Sequence, residues 1–384
     1  MLGFFGDVTL FLKFDTVCID NHVFKLHYKA TVIILVIASL LVTGNQYIGD
    51  PIDCMCDGIP GGIIDTYCWI HSTFSIPERF VGKQGIDVAF PGVAPIEVDG
   101  KEPRYHKYYQ WVCFVLMLQA AFCFAPRFVW KGVEDGKIKM LVQDMTDPDY
   151  VVNAEKRKDR INLIVKYFRE FRGGHAAYSF KFFTCELFNL IIIISQIFFM
   201  DRFLGYEFSE YGLDVLGYTE LDPRERPDPM AVVFPKITKC TFRKYGASGS
   251  IEKYDALCVL PLNIINEKIY TFLWFWFIIV ASVTGLYMLY RVFIILGAGL
   301  RVALIQSRTG RGLPREKLED ILNEKTLNIL QKNGDFFLLH LVTKNLDEMT
   351  NKELLEAIHL DLYPATSIEN KDVDGSNGIS TTSV

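Results

Sequence analysis

From Tyr108 to Trp130 the chain reads YYQWVCFVLMLQAAFCFAPRFVW, about twenty mostly apolar residues with no charge before Arg127. A helix of that length crosses the ~30 Å hydrocarbon layer of a bilayer. Tyr108, Tyr109 and Trp111 stand at one end of the run and Trp130 at the other. Rings with a polar edge prefer the headgroup layer, so both interfaces are marked. Pro126 lies inside the run, where it removes a backbone hydrogen bond and is expected to kink the helix near its inner end. Three further runs share this character. The expected spans are residues 27–47, 108–130, 180–200 and 269–296.

Composition agrees: 50% of the residues are hydrophobic and 22% are charged, and the two kinds are segregated into blocks rather than mixed as in a soluble domain. A net charge of -5 points to no nucleic-acid partner. No cleavable signal peptide is expected, because Asp7, Lys13, Asp15, Asp20 and Lys25 interrupt the first apolar positions. The fold class that follows is a mainly α membrane protein, a four-transmembrane-helix bundle with a helical cytoplasmic lobe. Lys and Arg crowd the ends of the spans that face residues 131–179 and 297–364, and are sparse at the ends facing residues 48–107 and 201–268. Both termini are therefore expected in the cytoplasm of a multi-pass plasma-membrane protein.

Within the spans, polar residues are patterned. Ser39, Thr43 and Gln46 follow at i, i+4 and i+7 and share one helix face. Such a stripe faces either a neighbouring helix or water, and both readings stay open. Glu186 and Asn189 pose the same choice in the third span, where a helix–helix contact is preferred. Residues 1–26 alternate apolar and charged positions, as an interfacial segment does.

The loops supply the rest. Residues 48–107 carry Cys54, Cys56 and Cys68, and residues 201–268 carry Cys240 and Cys258. Two long cysteine-bearing outer loops imply an oxidising face and disulfides. Cys54 and Cys56 are too close for an ordinary zinc pair, and no His cluster supports a metal. Residues 153–172 repeat Ile161, Ile164, Val165, Phe168 and Phe171 at helical spacing, and the tail has amphipathic stretches at 315–332 and 336–360. These helices form the cytoplasmic lobe; residues 365–384 read as disordered. Thr382-Ser383-Val384 fits the C-terminal pattern that a PDZ scaffold takes up. No catalytic motif or phosphate-cradling loop is present, so neither an enzyme nor a cofactor is expected.

Several stretches are similar to one family. Tyr108-Tyr109-Gln110-Trp111-Val112 resembles the signature opening the second span of the innexins, the gap-junction proteins of invertebrates. YIGDPIDC…DTYCWIHSTF from Tyr47 resembles their first outer loop, and DPMAVVFPKITKCTF…LCVLPLNIINEKIYTFLWFWF from Asp228 their second loop and fourth span. The resemblance covers roughly residues 1–300 and thins over the tail. It implies inter-loop disulfides, Cys54 with Cys258 and Cys68 with Cys240, while Cys56 departs from the pattern as a free thiol or a competitor. It also implies that residues 1–26 fold into the mouth of a pore. The pore would be walled by the first span, with Asp7, Asp15 and Asp50 joining Ser39, Thr43 and Gln46 as lining candidates. Subunits would form a ring of eight, a hemichannel docking on that of an apposed cell at a gap junction, alone or mixed with other innexins, amid membrane lipids. An undocked hemichannel releasing small anions such as nucleotides is the alternative. A poreless tetraspan adhesion or scaffold protein is a third reading. No Asn-x-Ser/Thr acceptor obstructs docking.

Overall fold

The computed structural model describes residues 17–81, 85–86, 88–94, 102–143, 145, 153–218, 228–309, 313–322 and 327–364. The chain begins with α1 (His22–Ile48), which contains a π-helical stretch at Leu26–Thr31. There the Thr31 hydroxyl donates to the Leu26 carbonyl five residues back, holding the wider turn. β1 (Asp53–Met55), α2 (Gly61–His71), β2 (Thr73–Ser75) and β3 (Arg104–His106) follow, then α3 (Val112–Glu134) and α4 (Lys137–Val142). Next come α5 (Ala154–Glu170), α6 (Ala176–Phe203), α7 (Phe208–Tyr218), α8 (Pro229–Val233), β4 (Ile237–Tyr245) and β5 (Ile251–Val259). The long α9 (Pro261–Leu296) precedes α10 (Ala298–Gln306), α11 (Arg315–Leu322), α12 (Ile329–Lys344) and α13 (Glu348–Leu362).

Four of these helices, α1, α3, α6 and α9, are long and apolar enough to cross a membrane. The second begins at Val112 rather than Tyr108, because Tyr108–Gln110 form a 3₁₀ turn that leads into it. Helix continues through Pro126 to Glu134. The Glu134 carboxylate then accepts from the amides of Gly136 and Ile138 (2.9 and 2.7 Å), starting α4 at a turn where Gly136 has φ 72°.

Two compact units divide the chain. One comprises residues 26–124 and 190–283, with a core of Leu35, Val42, Leu116, Ile193, Tyr270 and Phe277. It contains an antiparallel five-stranded sheet in the order β1-β5-β4-β2-β3. The sheet was not legible in the loops: three of its strands are only three residues long, and their partners lie far away in sequence.

The other comprises residues 1–25, 125–189 and 284–384. Its centre is aromatic: Phe182 packs on Trp130, Phe24 and Phe337, with ring centroids 4.8, 5.7 and 4.7 Å apart. α5 buries Ile161, Ile164, Val165 and Phe168, and its N-cap Asn153 accepts from the amides of Glu155 and Lys156. Arg157 on α5 makes a two-pronged ion pair with Glu353 on α13 at 2.8 and 2.9 Å. The second amphipathic stretch of the tail is two helices. α12 ends at Lys344 with Asn345 as its C-cap, and Asp347 caps α13 by accepting from the Thr350 amide.

Candidate functional site

The structure gathers the cysteines of both loops onto the sheet. β1 and β5 pair with Cys54 directly opposite Cys258, and these two are bridged across 204 residues of sequence. Cys68, in the last turn of α2, is bridged to Cys240 on β4 across 172 residues. All four are buried, and the sulfurs of Cys54, Cys68 and Cys258 lie within 4.8 Å of one another, so the two bridges are near neighbours. Loop one is thus joined to loop two by two covalent links and by the β1–β5 and β2–β4 ladders.

Cys56 stays a free thiol. Alternation along an extended strand would put Cys56 on the same face as Cys54. The strand ends at Met55, however, and Cys56 begins a turn in which the Ile59 amide donates to its carbonyl. Burial, then the carboxylates of Asp57 and Asp255, pushes this thiol up from its ordinary pKa. It sits beside the bridges as the protonated, weaker nucleophile.

The pentapeptide at 108–112 fastens the second span to both loops. The Tyr108 hydroxyl donates to the Val233 carbonyl (3.1 Å), and Gln110 Nε2 donates to the Trp69 carbonyl. Tyr109 is fully buried with its ring 4.9 Å from that of Trp69, and burial pushes its phenol up to about 12. Trp111 is 60% exposed, and Val112 is buried as α3 begins. Below β2 and β3, the Ser75 hydroxyl and His106 Nε2 share a buried hydrogen bond of 2.7 Å. Burial first, and then the Arg104 charge, lowers the His106 pKa to about 3, so the ring is neutral.

The pore-lining candidates are not all alike. Ser39 is buried and donates to the Cys113 carbonyl of α3 at 2.9 Å, a helix–helix contact. Thr43 donates to the Ser39 carbonyl within α1, and Gln46 Nε2 reaches the Gln110 carbonyl at 3.5 Å. Asp50 is exposed. Asp7 and Asp15 lie outside the described residues, as do Thr382, Ser383 and Val384.

What sequence reasoning missed is the anchorage of the chain just after the N-terminal segment. The Cys18 amide donates to Asn345 Oδ1, and Asn345 Nδ2 donates back to the Cys18 carbonyl (2.6 and 2.9 Å). Trp130 Nε1 holds the Ile19 carbonyl at 3.0 Å, and the Asp20 carboxylate pairs with Arg127 at 3.0 Å. Asn21 donates to Glu186, whose carboxylate is also gripped by Arg291 of α9 at 2.8 and 3.1 Å. Glu186 therefore makes a helix–helix contact. Four side chains, two on α3, one on α6 and one just past α12, fix residues 18–21, and no local pattern announces it.

These features have counterparts elsewhere. The Innexin family profile matches residues 20–362. The chain belongs to the innexin family. It is 53% identical over 356 residues to innexin inx2 of Drosophila melanogaster, covering 92% of this chain and 94% of that protein. Identity to innexin inx2 of Schistocerca americana is 50% over 373 residues, 97% and 100% of the two chains. Innexin shaking-B of Drosophila melanogaster is 42% identical over 357 residues, 93% and 94% of the two. Family membership makes this innexin a subunit of an oligomeric gap-junction channel, a multi-pass plasma-membrane protein and not an enzyme. Its four membrane-capable helices and two inter-loop disulfides fit that class.

Proposed function

We propose that this innexin forms a ring, expected to hold eight subunits, whose disulfide-braced outer sheet docks on the sheet of a ring in the apposed membrane. Ions and small metabolites then pass between two cytoplasms. The observation that carries this reading is the sheet itself. A polar loop pair is too small to build a large core, yet here two bridges and two cross-loop ladders give it one shape. A surface that must match a twin needs such preorganisation, because ordering it on contact would cost affinity. β4 and β5 carry the exposed Tyr245 and Ile251 at the end of the hairpin they form, among Lys244, Glu252 and Lys253, a mixed polar and apolar tip suited to contact.

Both termini lie in the cytoplasm in this reading, supported by the Lys and Arg bias of the loops. The N-terminal segment, residues 1–26, goes to the pore mouth in this reading; residues 1–16 of it lie outside the described residues. Thr43, Gln46 and Asp50 contribute to the wall with Asp7 and Asp15, whereas Ser39 is committed to α3. Thr382–Val384 remains a candidate PDZ ligand, and mixed rings with other innexins are compatible with the same surfaces.

The test is electrical recording from two apposed cells expressing only this chain, beside release of dye from single cells. Wild type is expected to couple cells. Cys68→Ser with Cys240→Ser is expected to reach the surface and fail to couple. Coupling that survives removal of the Cys68–Cys240 bridge would refute the role of the braced sheet.

A further inference from the structure

The unit of residues 1–25, 125–189 and 284–384 contains a cavity of ≈ 250 Å³ that the channel reading leaves unused. That is far above the ~10–15 Å³ needed to hold one water. α9 lines it with Tyr287, Tyr290, Arg291 and Ile294, the i, i+3, i+4, i+7 positions of one face. α12 adds Phe336, His340 and Lys344, and Arg308 closes it from the turn after α10.

Its charge is unbalanced. Arg291 is neutralised by Glu186. The Arg308 guanidinium donates only to His340, to its carbonyl at 2.7 Å and its Nε2 at 3.3 Å. Lys344 Nζ reaches only the backbone carbonyl of Asp20, at 2.7 Å. No carboxylate among the described residues pairs with either cation, and none lines the cavity. Burial lowers the Arg308 pKa, and burial together with Arg308, Arg291 and Lys344 takes His340 down to about 3. Two half-buried cations without a carboxylate, beside a neutral imidazole, form a site short of an anion.

Depth tells which kind of anion. Between Lys268 and Arg291, the 22 residues 269–290 of α9 carry no charge. At 1.5 Å per residue they span about 33 Å, the thickness of the hydrocarbon layer. Arg291 therefore marks the boundary, and the cavity opens at headgroup level. Basic pockets at that level between membrane helices suit phosphorylated headgroups.

We propose that Arg308, Lys344 and Tyr290 bind a phosphate monoester, carried by an inositol-type lipid headgroup or by a soluble phosphorylated metabolite. Asn21, the last of the anchored residues, and His22 after it line the same cavity, so an occupant would touch the root of the N-terminal segment.

The test uses the full chain in nanodiscs. One arm measures binding of fluorescent phosphatidylinositol bisphosphate in phosphatidylcholine, the other of soluble inositol trisphosphate. Arg308→Gln and Lys344→Gln should each weaken binding by about tenfold, the loss of one charge-assisted hydrogen bond. Leu304→Trp, which fills the cavity and removes no charge, should do at least as much. Arg315→Gln, at an exposed arginine paired with Glu319, should change nothing. Tighter binding of the lipid than of inositol trisphosphate identifies a headgroup site, and binding of the trisphosphate at least as tight identifies a soluble one. If neither probe binds wild type, or if Leu304→Trp binds like wild type, the proposal is overturned, whatever the folding of the charge variants.

Discussion

Removing the Arg291 guanidinium is the sharpest test of how the unit of residues 1–25, 125–189 and 284–384 is held. Arg291 grips Glu186 with two hydrogen bonds, at 2.8 and 3.1 Å, and both side chains are about 95% buried, with 6% and 5% exposed. Its remaining contacts are the Tyr287 hydroxyl at 3.1 Å and the rings of Phe182 and Phe183 at 5.8 and 5.1 Å. Arg291→Met keeps the length of the side chain and deletes the charge. Glu186 is then left ionised in an apolar setting with Asn21 as its remaining hydrogen-bond partner among the described residues. Breaking a buried pair on one side costs ~3–5 kcal/mol, far more than the pair itself contributes over an apolar replacement.

The assay is a double-mutant cycle on detergent-purified protein, read as apparent Tm by size-exclusion recovery after heating. Arg291→Met should lower that temperature by the order of 10 °C. Glu186→Leu should also lower it, through a stranded guanidinium. The double variant Glu186→Leu/Arg291→Met should recover most of the loss, because nothing charged remains buried. Two harmless single variants would mean that water reaches the pair. A double variant as poor as the sum of the singles would mean that Glu186 and Arg291 act separately, and either result refutes the reasoning.

Three further outcomes follow from the geometry. Cys56→Ser should leave both bridges intact on a non-reducing gel, and maleimide labelling of wild-type Cys56 should be slow at pH 7 and accelerate as pH rises, since burial, Asp57 and Asp255 raise its pKa; fast labelling at pH 7 would contradict this. His106 is neutral when folded, with a pKa of about 3 against an ordinary 6.5. The unfolded chain takes up a proton as pH falls below 6.5 while the folded chain does not, so stability drops down to about pH 3, by roughly 2 kcal/mol at pH 5. Protection factors of the amides at β2 and β3, taken relative to the intrinsic exchange rate at each pH, should fall between pH 7 and 5, and His106→Gln should flatten that dependence. Gly334→Ala would ordinarily stabilise a helix by up to ~1 kcal/mol; here the new Cβ would meet backbone atoms of His175 and Ala176 at 2.5 Å, so a loss of ~1–3 kcal/mol is expected. A raised Tm for this variant would show that α12 is not seated on that turn.

The four spans were legible because hydrocarbon imposes one rule on twenty consecutive residues, and YYQWVCFVLMLQAAFCFAPRFVW obeys it without context. The helix at 154–170 was legible for a similar reason, since a 3.6-residue period repeats within one element. Disulfide partners were not derivable from spacing; Cys54–Cys258 and Cys68–Cys240 came from resemblance, and the structure has both. The sheet escaped because a three-residue strand has no measurable period. Phe74 pairs with Lys239, a partner no local window contains. The stripe Ser39, Thr43, Gln46 had the right period but two possible neighbours, and only the Cys113 carbonyl decides for Ser39. Glu186 was legible as a costly residue, whereas Arg291, 105 positions on, was not legible as its partner.

The two units differ in what holds them, and the difference follows from their cysteines. In the unit containing the sheet, Cys54 faces Cys258 across one register position, so a slip of a single residue would turn one of the pair to the opposite face. The covalent bond thus selects the register, and the register presents Tyr108 and Gln110 with the carbonyls of Val233 and Trp69 that they need. The other unit has only free thiols, Cys18 and Cys185 among them, and is fastened by Asp20–Arg127, Glu186–Arg291, Arg157–Glu353 and the ring cluster about Phe182. Ion pairs and ring contacts can be remade in a second arrangement without breaking a covalent bond, while bridged strands cannot change register at all. A chain built this way keeps the register of its sheet constant and leaves any remade contact to the unit where Asn345, Trp130 and Arg127 hold residues 18–20.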